Sequence, residues 1–133
     1  AEQGRVTIRS IERHGIVCSH VESPDEASHQ GDWKTKVAAV EAIDREIVGP
    51  VVEHLRSRHG GDGWRVMVLP DHHTLVSTRK HDASPVPCLI AGTDIRPEGV
   101  QRFTEADAAD APIIDPGHRL MHEFLGRAGD SRP

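Results

Sequence analysis

Asp25 and His29 stand four residues apart in the stretch VESPDEASHQGD, Val21 to Asp32. If that stretch is helical, a carboxylate and an imidazole share one face, one turn apart. An oxygen and a nitrogen donor so placed are half of a divalent-metal site. Taken alone, the pair is equally the outer face of a capped, solvated helix. More donors follow, however. Asp71 and His72 come two residues after the apolar run Val66-Met67-Val68-Leu69, and His81 stands nine residues after His72. Singly, Asp71 could be a turn former and His81 a surface histidine. Together and in order they favour metal chemistry, because open α/β sheets hold ligands just outside the carboxyl ends of their strands.

The elements that must position these groups are readable in outline. Residues Gly4 to Arg13 leave two readings open: Arg5-Val6-Thr7-Ile8 alternates like a strand, while Ile8 and Ile11 are spaced for a helix that would stop near His14-Gly15. Ile16 to Val21 is almost continuously apolar, which predicts a buried strand of a parallel sheet. Ser23 is a candidate N-cap, Pro24 suits the first helical position, and Glu26 sits three residues after the cap. Asp32 is a candidate N-cap for the main helix. Val37, Val40, Ile43, Ile47, Val51 and Leu55 recur every three or four residues and form one apolar stripe. Gly49-Pro50 falls inside that stripe, and since the pattern continues in phase, a kink is expected there. Arg65 to Leu69 and Cys88 to Ala91 read as further short strands. A helical turn is expected at Thr104 to Ala109 and a closing helix at Gly117 to Gly126. Residues 127–133 read as a polar tail and residues 1–126 as a single α/β domain. The expected fold class is α/β, with a mostly parallel sheet flanked by helices.

Composition narrows the function. The chain has 133 residues, ten of them histidine, the commonest metal ligand. Its net charge is -5 with acids and bases intermixed, so no basic patch argues for nucleic acid. With no Tyr, two Phe and two Trp, stacking platforms for single strands are lacking as well. No apolar run approaches a membrane span, and no signal peptide is visible. Cys18 and Cys88 lie far apart in apolar runs, which predicts buried reduced thiols and a cytoplasmic setting. The chain opens on Ala1 without a Met, so it reads as a processed or partial product of something longer.

Four motifs in order, HVESPDEASHQGD, AIDREIVGP, LPDHHT and RKHDASPVPCLI, carry a resemblance. The chain resembles the C-terminal part of the archaeal-type cofactor-independent (2,3-bisphosphoglycerate-independent) phosphoglycerate mutases, of the alkaline phosphatase-like metalloenzyme superfamily. It runs from about Ile8 to the Gly117-His118-Arg119-Leu120-Met121 segment. The resemblance implies a partial alkaline phosphatase-like fold and two divalent metal ions, manganese first, with zinc and magnesium as alternatives. It maps the ligands of one ion onto Asp25, His29 and His81, and assigns Asp71 and His72 to the other. It gives Arg79 a grip on substrate phosphate or carboxylate, and makes His20 and Glu22 partners that support the ligands. Their alternatives are a solvated loop charge for Arg79 and a strand-end pair for His20 and Glu22. Asp82-Ala83-Ser84 stands where the family usually has Thr-Ser-Asp, and Cys88 replaces a usual Phe.

The implied partner is a small phosphorylated substrate, with no nucleic acid and no membrane, and with a missing N-terminal part or a homo-oligomer as protein partners. In the family that N-terminal part carries the serine that becomes phosphorylated. Ser23, Ser28, Ser77 and Ser84 do not match its motif, so the catalytic nucleophile is unassigned here. The implied activity is interconversion of 3-phosphoglycerate and 2-phosphoglycerate through a phosphoserine, in glycolysis. The alternatives are a metal-dependent phosphatase of the same superfamily and a catalytically silent metal-binding domain.

Overall fold

The computed structural model describes residues 2–59, 63–97 and 102–126. They fall into two compact units, Ala1–Asp62 with His72–Ala83 and Gly63–Asp71 with Ser84–Pro133.

The first unit is a helical layer with a small hairpin. Helix α1 spans Glu2–Ile11 and turns its buried residues, Gly4 and Thr7, toward the rest of the unit. Helix α2 spans Ser23–Gln30. Its N-cap is Glu22, without a side-chain cap, so Ser23 is the first helical residue instead of the expected cap. Its C-terminus is closed by Gly31 at φ 76°. There the Gly31 N–H donates to the Ser28 carbonyl and the Asp32 N–H to that of Ala27, each at 2.9 Å. A left-handed glycine closing two carbonyls in this way is a common helix stop.

Helix α3, Trp33–Ile43, starts as the sequence predicts. Asp32 is its N-cap, with Oδ1 accepting from the Thr35 N–H at 3.0 Å and Oδ2 from the Thr35 hydroxyl at 2.7 Å. A π-helical turn, Asp44–Val48, then leads straight into helix α4, Gly49–Arg58. The expected kink at Gly49-Pro50 is thus a widened turn placed just before it. Pro50 has no N–H, and its ring collides with the carbonyl four residues back in a regular helix. Widening the preceding turn relieves both problems, and the Gly49 N–H reaches five residues back to the Asp44 carbonyl.

The wide turn also breaks the phase of the apolar stripe. Val51 and Leu55 are core residues at 7% and 6% exposure, whereas Val37 and Val40 are about half exposed at 48% and 49%. Helix α1 crosses at the wide turn so closely that a Cβ on Gly4 would overlap the Glu46 carbonyl oxygen.

The hairpin consists of β2, His73–Leu75, and β3, Lys80–Asp82, paired antiparallel with Thr74 opposite His81. The Arg79 N–H closes its loop onto the Leu75 carbonyl at 2.7 Å, with Arg79 in the left-handed region at φ 56°. The sequence expected a loop here and missed this pairing.

In the second unit β1, Arg65–Val68, pairs antiparallel with β4, Leu89–Gly92, from Arg65 opposite Gly92 to Val68 opposite Leu89. A Cβ on Gly92 would overlap the Trp64 carbonyl, so that close approach needs glycine. Helix α5, Glu105–Ala108, is capped by the Thr104 hydroxyl, which accepts from the Asp107 N–H at 3.1 Å. A 3-10 turn, Gly117–Arg119, runs into helix α6, Leu120–Phe124. Arg65 Nη1 donates to the Phe124 carbonyl at 2.8 Å.

Three further expectations are corrected. Ile16 to Val21 forms no strand: it is an extended segment, and Ile16 is 56% exposed. Both strand pairs among the described residues are antiparallel, not members of a mostly parallel sheet. An apolar run reports an environment but names no partner, and pairing direction is set by distant residues. Cys18 and Cys88 are likewise exposed free thiols, where burial was expected. The expected polar tail, residues 127–133, lies outside the described residues.

Candidate metal centre

The donors converge where α2 packs against the hairpin, inside the first unit. Helical spacing brings Asp25 and His29 to one face of α2, with His29 Nε2 3.3 Å from Asp25 Oδ2. Cross-strand pairing sets Thr74 and His81 side by side on the hairpin, and both reach that face. The Thr74 hydroxyl donates to Asp25 Oδ1 at 2.5 Å. His81 Nε2 lies 3.5 Å from the same oxygen and 3.1 Å from His29 Nε2. His72, just ahead of β2, stacks its ring on His81 with centroids 3.9 Å apart. Asp25, His72 and His81 offer ligand atoms that all lie within 4.8 Å of one another.

Each donor is prepared by its neighbours. The Thr74 hydrogen bond holds the Asp25 carboxyl below the usual aspartate range; partial burial opposes this, and His29, His81 and His72 assist. Asp25 is therefore an anion at neutral pH. Thr74 is itself 5% exposed, and its carbonyl accepts from Lys36 Nζ at 2.8 Å. His29 Nδ1 lies 2.9 Å from the Arg79 carbonyl. A carbonyl only accepts, so Nδ1 carries a proton, and in the neutral ring Nε2 is then the lone-pair nitrogen facing the cluster. The guanidinium of Arg79 runs beside Gly31, where a Cβ would come within 2.8 Å of its Nε.

The separations fit a cation. Ligand atoms at zinc-type bond lengths around a tetrahedral ion are about 3.3 Å apart. The contacts among Asp25, His29 and His81 run from 3.1 to 3.5 Å, Asp25 meeting His29 through Oδ2 and His81 through Oδ1. One carboxylate with several neutral imidazoles is a donor set for a borderline divalent ion.

The other sequence-derived candidates are placed differently. His72 joins the Asp25 and His81 cluster, and Asp71 belongs to the second unit. His20 and Glu22 face each other at 3.7 Å on the surface, with side chains 60% and 72% exposed. Arg79 is exposed, and its contact with the cluster is through its carbonyl, not its charge. Sequence reasoning missed Thr74, whose only signal was its place two residues after His72. No helix among the described residues is long and apolar enough to cross a membrane.

Comparison with known proteins agrees with this donor chemistry. The family model for the metalloenzyme superfamily matches residues 1–113. A 2,3-bisphosphoglycerate-independent phosphoglycerate mutase of Methanothrix thermoacetophila is 38% identical over 106 residues, 80% of this chain and 26% of the relative. The 2,3-bisphosphoglycerate-independent phosphoglycerate mutase 2 of Methanothermobacter thermautotrophicus is 34% identical over 131 residues, 98% of this chain and 32% of the relative. A relative of the same name from Methanosarcina acetivorans is 37% identical over 99 residues, 74% of this chain and 24% of the relative. The chain thus spans between 24% and 32% of the length of these relatives. No solved structure matches it.

Proposed function

The chain belongs to the metalloenzyme superfamily, and from that premise we propose that it is the metal-binding portion of a phosphoglycerate mutase. The reaction is interconversion of 3-phosphoglycerate and 2-phosphoglycerate by phosphoryl transfer through a phosphoserine, in cytoplasmic glycolysis. The observation that carries this reading is the mutual approach of Asp25, His29 and His81 to within 3.5 Å, on a chain similar to named mutases.

Asp25, His29 and His81 would hold one ion, manganese by preference, with His72 beside them. A divalent ion held there would supply charge neutralisation of a phosphate and stabilisation of the oxygens exchanged in an in-line transfer. This chain's own residues prepare the site. Thr74 keeps Asp25 ionised and aimed, and the Arg79 carbonyl keeps His29 in the tautomer that offers Nε2. The Arg79 guanidinium is exposed and available to a phosphate or carboxylate, for which its forked geometry suits it. Residues 1–126 act as one metal-binding domain of a longer chain, in keeping with its span of 24% to 32% of the relatives. The phosphorylated serine belongs to the rest of that longer chain.

The test grafts these residues into the Methanothermobacter relative in place of its matching 32%. Manganese-dependent mutase turnover that disappears with Asp25→Ala supports the reading. A folded, manganese-loaded graft that hydrolyses phosphate esters but forms no 2-phosphoglycerate assigns the chain to a phosphatase instead.

A further inference from the structure

A second group of donors lies elsewhere in the first unit, at the paired ends of α1 and α4. Glu12 follows the last turn of α1, His54 lies within α4, and His59 follows its last residue. The three offer ligand atoms that all lie within 4.8 Å of one another. Glu12 Oε1 already accepts from His54 Nε2 at 2.8 Å. The two imidazole rings stand 6.1 Å apart, inclined at 65°, so both edges can face one point.

Two features single this group out from an ordinary surface pair. The first is how His59 gets there. Five residues along a regular helix turn a side chain through about 140° from its start, onto a different face. His59 instead leaves helical geometry, at φ -125° and ψ 19°, and its ring returns to the side of His54. The second is the state of that ring. His59 Nε2 is buried and has no hydrogen-bond partner among the described residues. Buried polar atoms in folded proteins are nearly always satisfied, so an orphaned ring nitrogen beside a carboxylate and a second imidazole calls for a ligand. The spacing His-x4-His also falls in the range of zinc-binding histidine pairs.

We propose that Glu12, His54 and His59 bind a zinc-type divalent ion that fastens the end of α1 to the end of α4. Two neutral imidazoles and one carboxylate supply three ligands, and water supplies the fourth. The ion takes the place of the Nε2 proton that His54 donates to Glu12, that proton passing by way of water to His54 Nδ1, and it satisfies the buried nitrogen of His59. Since α1 and α4 pack against each other, a bond between their ends stabilises the folded form only, and zinc raises the melting temperature. This site is separate from the Asp25 cluster and its role does not depend on phosphoryl transfer.

The experiment is zinc titration by calorimetry, with thermal melts alongside, of the chain carrying Asp25→Ala to weaken the first site. One zinc is expected to remain bound and to raise the melting temperature. Adding His59→Ala should abolish that binding, a loss beyond the roughly 10–100-fold seen when only a supporting partner is removed. Glu12→Gln keeps an acceptor for His54, so it preserves the metal-free fold while weakening zinc at least about tenfold. Metal-free circular dichroism identifies a variant that merely unfolds. No residual zinc in the Asp25→Ala chain, or equal binding and equal stabilisation after Glu12→Gln, overturns the proposal.

Discussion

Thr74 and His81 are direct cross-strand partners, and each reaches the same oxygen of Asp25, at 2.5 Å and 3.5 Å. One strand register therefore fixes both the hydroxyl that holds the carboxylate and the imidazole that stands beside it. Because side chains alternate along a strand, a slip of one residue would turn both away from α2.

Thr74→Val keeps the shape of the side chain and removes the donor. Asp25 is then expected to titrate at a higher pH than in the unaltered chain, because the largest influence lowering it is gone. Manganese affinity should fall by roughly 10–100-fold, as for other partners that orient a ligand. NMR titration of the Asp25 carboxyl together with calorimetry checks both. An Asp25 that titrates as low as before would remove Thr74 from this role.

Asp25→Ala and His81→Ala should each weaken manganese binding strongly while leaving the helical signal of the chain intact. Both side chains are more than a third exposed, at 36% and 54%, so neither supports the core. Undiminished binding in Asp25→Ala would reduce the α2 face to a solvated pair of polar groups.

Gly4→Ala tests the crossing of α1 over the wide turn. Helix propensity alone favours alanine by about 1 kcal/mol. Against this, the new methyl meets the Glu46 carbonyl, a backbone atom that cannot rotate away. Overpacking of this kind costs about 1–3 kcal/mol, so a net loss of up to about 2 kcal/mol is expected in urea unfolding. A gain in stability would show that the helices separate freely there.

The sign of one pH effect follows from the cap of α3. The Thr35 N–H and then its hydroxyl hold Asp32 below the usual aspartate range. A carboxyl depressed by folding stabilises the fold fully above its ordinary value of about 3.9 and loses that contribution as pH falls through the folded value. Asp32→Ala should therefore melt below the unaltered chain at neutral pH, with the gap closing in acid. Melts at both ends of that range decide it; a constant gap means the cap acts without its charge.

The chain alone is expected to show no mutase turnover even with manganese present. A phosphoenzyme route needs a hydroxyl held against the metals, and none of Ser23, Ser28, Ser77 or Ser84 matches that part. Turnover proportional to the concentration of this chain would relocate the nucleophile to within it.

What the sequence reveals and what it hides divide along local and distant interactions. Asp25 and His29 are legible because helical spacing is a local property, and the Asp32 cap is legible for the same reason. His81 could be chosen as a ligand but not placed, because its position depends on a hairpin whose strands have three residues each. Ile16 to Val21 carries the composition of a strand, yet nothing local says which strand it pairs with. The stripe from Val37 to Leu55 reads as continuous because counting assumes a constant helical period. The π-helical turn at Asp44–Val48 violates that assumption.

In hereditary terms that wide turn behaves as one extra codon. A regular helix gives each residue about 100° of rotation, so a single inserted residue re-aims everything after it by that much. Pro50 makes the extra residue useful, and the extra residue makes Pro50 tolerable. The two are then expected to come and go together. Deleting one residue from Asp44–Val48 sets the proline ring against a carbonyl and swings Val51 and Leu55 out of the core. Replacing Pro50 alone leaves a widened turn with nothing to accommodate. A lineage that loses both regains a regular helix, one residue shorter, whose buried face must be rewritten from that point onward.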